Sequence, residues 1–249
     1  MTHSIVNIAY KYVIATCILT GLFSCGPDDA EDAQPVSALI TIENISNETT
    51  YTGQSGSITL AMAPGLYAVT TSAPTMVFTP GEAASADIEA LAETGDPVAL
   101  QTTLRADDRV RSAGLTGDRD NVDYKENPIL PGTKTVLPIT FYPGDKLAIA
   151  MMLGPSNDTF LGTRAEGIDL GSLEEGEVDI SSGLLTWWDA GTEVNEPLGE
   201  GMYQPSSMAG TEAGEEESGV IQEATLGDAE RDIALPQVSD VVRVTFTLQ

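Results

Sequence analysis

Basic residues are scarce in this 249-residue chain, and their scarcity excludes a class of partner. There are 11 lysines and arginines against 38 acidic residues, which gives a formal net charge of -27. Because nucleic-acid binding needs clustered basic side chains that contact phosphate, we expect no nucleic-acid partner. The hydrophobic fraction of 41% is nevertheless too high for a wholly disordered acidic chain, so a folded core is expected.

Histidine and cysteine are also scarce, and they are confined to the N-terminus. The chain has one histidine, His3, and two cysteines, Cys17 and Cys25. The remainder therefore lacks the side chains for Ser-His-Asp or Cys-His catalysis, for intramolecular disulfides, and for zinc or copper sites of the usual nitrogen and sulfur type. Its polar chemistry depends on carboxylate, amide and carbonyl oxygens, which are the ligands that calcium prefers. Without disulfides, a bound ion is one means of stabilising a loop-rich exported domain.

The N-terminus has the pattern of a bacterial export signal. The apolar run from Val13 to Phe23 is too short to span a bilayer. It ends in Leu22-Phe23-Ser24-Cys25, which resembles a lipobox, where cleavage before the cysteine leaves it to carry a diacylglyceryl group. We predict a lipoprotein signal peptide at 1–24 and a lipid anchor on Cys25 that holds the protein on a membrane of the bacterial envelope. Gly26 favours the outer membrane, and an ordinary secretory signal cut nearby is the alternative.

The rest of the chain divides into a short tether and one domain. Residues 25–36 are small and acidic, and we interpret them as a flexible spacer. Across residues 37–249, short stretches of alternating apolar and polar residues are separated by glycine and proline turns, a pattern that predicts strands. The predicted strands cover residues 39–45, 57–62, 66–71, 135–142, 146–153 and 242–248. They predict an all-β fold, an antiparallel β-sandwich with long acidic loops.

One segment is predicted to be helical. Ser85 is a good N-cap for the stretch that ends at Glu93, and Gly95 is a good terminator. Ile88 and Leu91 fall on one face of this helix, so they are expected to pack on the sandwich. The sequence therefore predicts a sandwich with one short helix.

Two other segments are notable for their acidity. Residues 118–123 resemble a calcium loop, but Val122 takes a ligand position and the required glycine is missing, so a polar surface turn is the better interpretation. Residues 211–218, with the sequence TEAGEEES, are predicted to form a solvated, mobile loop.

Two motifs place an acid directly after apolar strand residues, at a turn that contains glycine. Asp158 lies in such a turn after Met151-Met152, and Asp189 follows Trp187-Trp188. An acid at a strand end can reach a shared ion while its strand stays packed; the alternative is a carboxylate that accepts hydrogen bonds from turn amides. Of the two adjacent tryptophans, one is expected to face the core and the other can face out, where it could stack on a sugar; a core or sheet-packing role is the better interpretation.

Several segments, taken in order, resemble the spondin domain of the extracellular matrix proteins F-spondin and mindin and of many bacterial secreted proteins. The resemblance covers roughly residues 37–249, and the segments that carry it are ITIEN (40–44), LAMAPG (60–65), FTPG (78–81), LAETG (91–95), MLGPSNDTF (152–160) and WDAGTE (188–193). It implies an antiparallel sandwich, an extracellular binding role and a calcium site.

The resemblance also implies which residues hold the calcium ion. By motif, the ligands fall on Glu93, Asp158 and Asp189, and Asn157 and Glu193 are near enough to be alternative or supporting ligands. The family's cysteines are absent, which makes the ion the more important constraint. The animal partners, integrins and matrix components, need not carry over to a bacterial envelope.

These observations predict a calcium-binding, non-enzymatic adhesion or ligand-binding module that is anchored at the envelope. Its expected ligand is an extracellular glycan or protein. Two alternatives stay open: a structural envelope lipoprotein with no specific ligand, and a glycan-active enzyme that uses a carboxylate pair and needs neither histidine nor cysteine.

Overall fold

The described part of the protein has two antiparallel β-sheets stacked face to face, a separate two-stranded sheet, and two helices on the outer side of the larger sheet. The computed structural model describes residues 34–71, 77–116, 128–173, 176–181, 183–204, 214–224 and 235–249. Its strands are β1 (Val36–Asn44), β2 (Thr52–Gly53), β3 (Gly56–Ser57), β4 (Leu66–Thr70), β5 (Val110–Leu115), β6 (Lys134–Phe141), β7 (Lys146–Met152), β8 (Thr159–Thr163), β9 (Ile168–Asp169), β10 (Glu177–Asp179), β11 (Leu185–Asp189), β12 (Gln222–Glu223) and β13 (Val242–Leu248). Its helices are α1 (Ala86–Thr94), α2 (Val98–Arg105) and α3 (Val238–Val241), with a 3-10 turn at Leu170–Ser172.

The smaller sheet has the strand order β10-β13-β1-β6. Its central strand β1 pairs with β13 and β6, and Ile40 lies opposite Phe246 on one side and Leu137 on the other. Alternate residues of β1, including Ile40 and Ile42, are fully buried. This strict alternation shows that the smaller sheet buries one face against the rest of the protein.

The larger sheet has the order β12-β11-β8-β7-β4-β5, with β9 paired to β7. Unlike β1, its inner strands are buried on both faces, and every residue of β4 and β8 is buried. In β7, Ile149 and Met151 face the core between the sheets, whereas Ala148 and Ala150 face the core beneath the helices. The small alanines leave room for helix α1, which packs against β7 and β8.

The structure confirms the predicted all-β sandwich. Five of the predicted strands form within three residues of the expected bounds. Residues 57–62 do not form a continuous strand; β3 ends at Ser57, and Met62 makes isolated bridges to Ile129 and Leu153. The predicted helix also forms, with Ser85 accepting from the Ile88 amide at 3.3 Å and Gly95 ending it at a φ of 65°.

The prediction of a single helix is wrong, because α2 and α3 also form. Helix α2 follows Asp96-Pro97, and the Asp96 carboxylate accepts from the Val98 amide at 3.2 Å. Leu100 and Leu104 lie one turn apart in α2, and both are buried on the face that packs against the protein. The short VALQTTLR segment has several residues that favour strands, so its propensity is weak and packing decides its structure.

Both tryptophans have the core role that the sequence favours, and neither ring faces outward. Trp187 and Trp188 point to opposite sides of β11, yet they are only 1% and 4% exposed. Trp187 packs between the two sheets, and Trp188 packs beneath the helices against Phe78. Because the larger sheet is covered on both faces, alternation along the strand exposes neither ring.

Several predictions fall on the N-terminus and on parts of loops. The signal peptide at 1–24, Cys25 and the 118–123 loop lie outside the described residues. The tether was predicted to reach residue 36, but Val36 already begins β1.

Residues Ala33–Gln249 form one compact unit. Within the described ranges, no helix is both long and apolar enough to cross a membrane.

Candidate metal centre

One end of the larger sheet brings together the segments that carry the three predicted ligands. Asp189 is the last residue of β11 and lies opposite Thr159, the first residue of β8, so it is next to Asp158. The Ala190 amide also donates to the Asp158 carbonyl at 3.3 Å. Glu93 reaches this place from the last turn of α1, because α1 packs against β7 and β8. Three segments that are distant in the sequence therefore meet where two neighbouring strands end and begin.

Asp158 is the most deeply buried acid of this group, with 0% of its surface exposed. Its Oδ2 atom accepts from the Thr192 amide at 2.8 Å and from the Glu193 amide at 3.2 Å. Its Oδ1 atom is buried and has no hydrogen-bond partner. Burial, followed by repulsion from Asp189, raises the pKa of Asp158 from 3.8 to about 6. A buried carboxylate oxygen without a donor is a feature that calls for a partner.

Glu93 is half-buried and close to other acids. Burial is the main cause that raises its pKa to about 7, and repulsion from Glu193, Glu89 and Asp158 adds to it. A hydrogen bond from the Thr192 side chain acts in the opposite direction. The Thr192 hydroxyl also lies 3.3 Å from Asp158 Oδ2. Since a hydroxyl has one proton, it can donate to only one of the two carboxylates at a time.

Asp189 and Glu193 flank the same turn. Asp189 Oδ1 accepts from the Gly191 amide at 2.8 Å, and its Oδ2 accepts from Asn195 Nδ2 at 3.0 Å. Glu193 is only 5% exposed, its Oε1 accepts from the Gly214 amide at 2.6 Å, and burial is the main cause that raises its pKa. The turn-amide interpretation is therefore correct for several carboxylate oxygens. It does not account for Asp158 Oδ1.

Asn157 has a supporting place beside these acids. Its Oδ1 accepts from the Glu196 amide at 3.1 Å and from Gln204 Nε2 at 3.3 Å. Its Nδ2 donates to Glu196 Oε2 at 3.1 Å. Gln204, fully buried, also donates to the Pro197 carbonyl at 2.9 Å. Asn157 thus fixes the loop around Glu196 against the turn that holds Asp158.

Within the described residues, no positive side chain forms an ion pair with this group of acids. The ion pairs formed within the described residues involve Asp107, Asp145, Asp169, Glu223 and Glu43. None of these ion pairs within the described part of the chain involves Glu93, Asp158, Asp189 or Glu193. In that part of the chain, no group of three or more acidic side chains is already arranged to hold a metal ion either. What the structure describes is a group of close carboxylates, one of them buried with an unpartnered oxygen.

The donor set fits a hard cation such as calcium. All candidate ligands present oxygen, and a divalent cation would remove the repulsion that raises the pKa of Glu93 and of Asp158. The unpartnered Asp158 Oδ1 supplies an oxygen that no protein donor already uses.

Sequence reasoning missed two residues that shape this site. Thr192 links Asp158 to Glu93, although its place in the motif after Asp189 suggested no role. Glu89 lies one helical turn before Glu93, so the (i, i+4) spacing of two acids on one helix face was the signal that could have identified it.

Comparison with known proteins does not identify a family. No family model matches the chain, and no curated protein matches it. The resemblance to the spondin domain therefore stays a prediction from the sequence motifs.

Proposed function

We propose that the protein is a calcium-binding, non-enzymatic adhesion or ligand-binding module, held on the bacterial envelope by a lipid on Cys25. The observation that supports calcium most directly is the fully buried Asp158, whose Oδ1 has no donor although other acids lie around it. Ionising such a group without a counter-charge is costly, and each neighbouring carboxylate adds to the cost. A cation among the carboxylates would offset both the cost of ionising a buried group and the repulsion between neighbouring carboxylates.

The proposed ligands are Glu93, Asp158 and Asp189, with Glu193 and Asn157 as neighbouring or supporting groups. Calcium takes 6–8 oxygens in a flexible geometry, so backbone carbonyls and water are expected to complete the set. The ion would join the end of α1 to the turns before β8 and after β11. In a domain without disulfides, that link would stabilise the end of the sandwich that carries its long loops.

A binding role is favoured over catalysis by how the acids are used. Asp189 Oδ1 and Oδ2 and Asp158 Oδ2 already accept hydrogen bonds from the surrounding turn and from Asn195. A carboxylate pair for glycoside hydrolysis needs both groups open to the glycosidic bond. Asp158, with no exposed surface, is poorly placed for that task.

The first test is isothermal titration calorimetry of the purified full-length protein with calcium chloride. We expect one site in the wild type, none in Asp158→Asn, and an unchanged site in Asp108→Asn, which changes an exposed acid elsewhere on the surface. The absence of calcium binding by the folded wild type would reject the metal centre. Glycan-array binding with and without chelator then tests the ligand-binding role, and hydrolysis of a labelled polysaccharide would replace that role with an enzymatic one.

A further inference from the structure

Residues 214–219 lie directly against the turn that follows Asp189. The Val194 amide donates to the Glu215 carbonyl, and the Glu217 amide donates to the Thr192 carbonyl, both at 2.8 Å. Glu193 and Glu216 form an antiparallel bridge, which places Glu217 opposite Thr192. These backbone hydrogen bonds hold the segment against the turn, although Glu215, Glu216 and Ser218 are exposed as predicted. Residues 211–213 lie outside the described residues.

Two side-chain atoms in the described part of the chain are buried without a hydrogen-bond partner, and both are carboxylate oxygens. One is Asp158 Oδ1, and the other is Glu217 Oε2. They belong to neighbouring segments, because Thr192 connects them: its amide donates to Asp158 Oδ2, and its carbonyl accepts from the Glu217 amide. An isolated surface glutamate would turn its carboxylate to water, so a buried oxygen here needs a separate explanation.

We propose that Glu217 is a fourth carboxylate ligand of the calcium site, contributed by the acidic segment 214–218. This inference rests on the proposed function. It is supported by the full burial of Asp158 with its unpartnered oxygen and by the second buried, unpartnered oxygen on Glu217. Because residues opposite each other in an antiparallel pair place their side chains on the same face, Glu217 lies on the face of Thr192 whose hydroxyl contacts Asp158 Oδ2.

The oxygen requirement of calcium explains why a fourth ligand is needed. Both carboxylate oxygens of Asp189 accept hydrogen bonds, Asp158 Oδ2 does too, and Asn157 Oδ1 is taken by Glu196 and Gln204. A carboxylate oxygen that accepts one hydrogen bond still has a lone pair for a metal ion, but three carboxylates supply at most six oxygens, while calcium takes 6–8. Glu217 Oε2 is uncommitted and buried. The contact between Glu193 Oε1 and the Gly214 amide fixes the other end of the same segment.

The test compares Glu217→Gln with Glu216→Gln in the full-length protein. Glu216 is exposed and adjacent, so its substitution changes the local charge equally without removing the proposed ligand. Calcium affinity is measured by calorimetry, and terbium is used as a luminescent calcium substitute that Trp188, next to Asp189, can sensitise. We expect Glu217→Gln to weaken calcium binding at least about tenfold and Glu216→Gln to change it less than about twofold. The terbium lifetime in light and heavy water should show about one additional bound water in Glu217→Gln, because a lost carboxylate ligand is replaced by water.

Each result has one reading. If the wild type binds calcium and Glu217→Gln binds it as tightly as Glu216→Gln does, the assignment of Glu217 is wrong and the calcium site stands. If the folded wild type binds no calcium, the proposed calcium-binding function is rejected, and the assignment of Glu217 is rejected with it. Should Glu217→Gln fail to fold, Glu217→Ala removes the carboxylate without leaving a buried amide, and unchanged calcium affinity in that variant would overturn the assignment.

Discussion

Asp158→Asn should have opposite effects on stability in the absence and in the presence of calcium. Without the ion, the wild type ionises a fully buried carboxylate whose pKa is raised from 3.8 to about 6. At neutral pH a shift of this size costs on the order of 2–3 kcal/mol. Asparagine keeps the shape and can still accept from the Thr192 and Glu193 amides through its oxygen. Its amide nitrogen takes the place of the unpartnered Oδ1, which removes the charge at the cost of an unsatisfied donor.

The calcium-free variant should therefore be the more stable of the two proteins. For a domain of this size, a gain of about 1–2 kcal/mol corresponds to a rise in melting temperature of roughly 2–8 °C. With calcium at about 100 times its dissociation constant, the wild type should gain about 2.7 kcal/mol, whereas the variant should gain almost nothing. Thermal unfolding followed by circular dichroism, in chelator and in excess calcium, measures both effects. Asp108→Asn serves as the control, because Asp108 is exposed. The reasoning is refuted if Asp158→Asn matches the wild type in both conditions.

Three further predictions concern pH, the end of α1 and the loop that supports Asn157. Because the folded pKa of Asp158, about 6, and that of Glu93, about 7, exceed their ordinary values, the folded state binds more protons than the unfolded state between about pH 4 and 7. The calcium-free protein should thus become more stable as pH falls from 7 to 5 in denaturant titrations, and a flat profile would contradict this. Gly95→Ala forces a side chain onto a φ of 65° and to within 2.6 Å of Ala63 Cβ, so it should destabilise the protein by about 1–3 kcal/mol and weaken calcium binding through Glu93. Gln204→Ala leaves the buried Asn157 without one donor, which should cost about 1–3 kcal/mol in urea unfolding, and an unchanged midpoint would count against the supporting role.

Local sequence patterns were sufficient where a structure depends on nearby residues. Helix α1 has its cap, its buried face and its terminating glycine within 11 residues, so the sequence predicted its bounds almost fully. The alternation of β1 was readable for the same reason, since it buries only one face, and that of β13 was readable although Thr245 on its other face is also buried. Helix α2 was missed because valine and threonine weaken its local signal. Its stability comes from packing, through the burial of its own Leu100 and Leu104.

The candidate site was only partly visible from the motifs. Asp158 and Asp189 belong to recognisable turns, and the resemblance added Glu93. Glu217 has no such signal, because it lies in a low-complexity acidic segment that resembles solvated loops elsewhere. Its relation to Thr192 depends on backbone pairing between two segments that are 25 residues apart. No periodicity in either segment indicates that pairing.

The sequence by itself determined the chemistry available to this protein: carboxylates and amides in abundance, and histidine and cysteine only near the N-terminus. It also determined five of the thirteen strands that the structure describes, because alternation is a local property. Only the tertiary structure decided that the larger sheet is covered on both faces, so that both tryptophans are buried. Only the tertiary structure decided, too, which carboxylate oxygens bond to amides and which two, among the residues that the structure describes, are buried without a donor. Burial and hydrogen-bond satisfaction are properties of segments brought together from distant parts of the chain, and the pattern within one segment does not contain them.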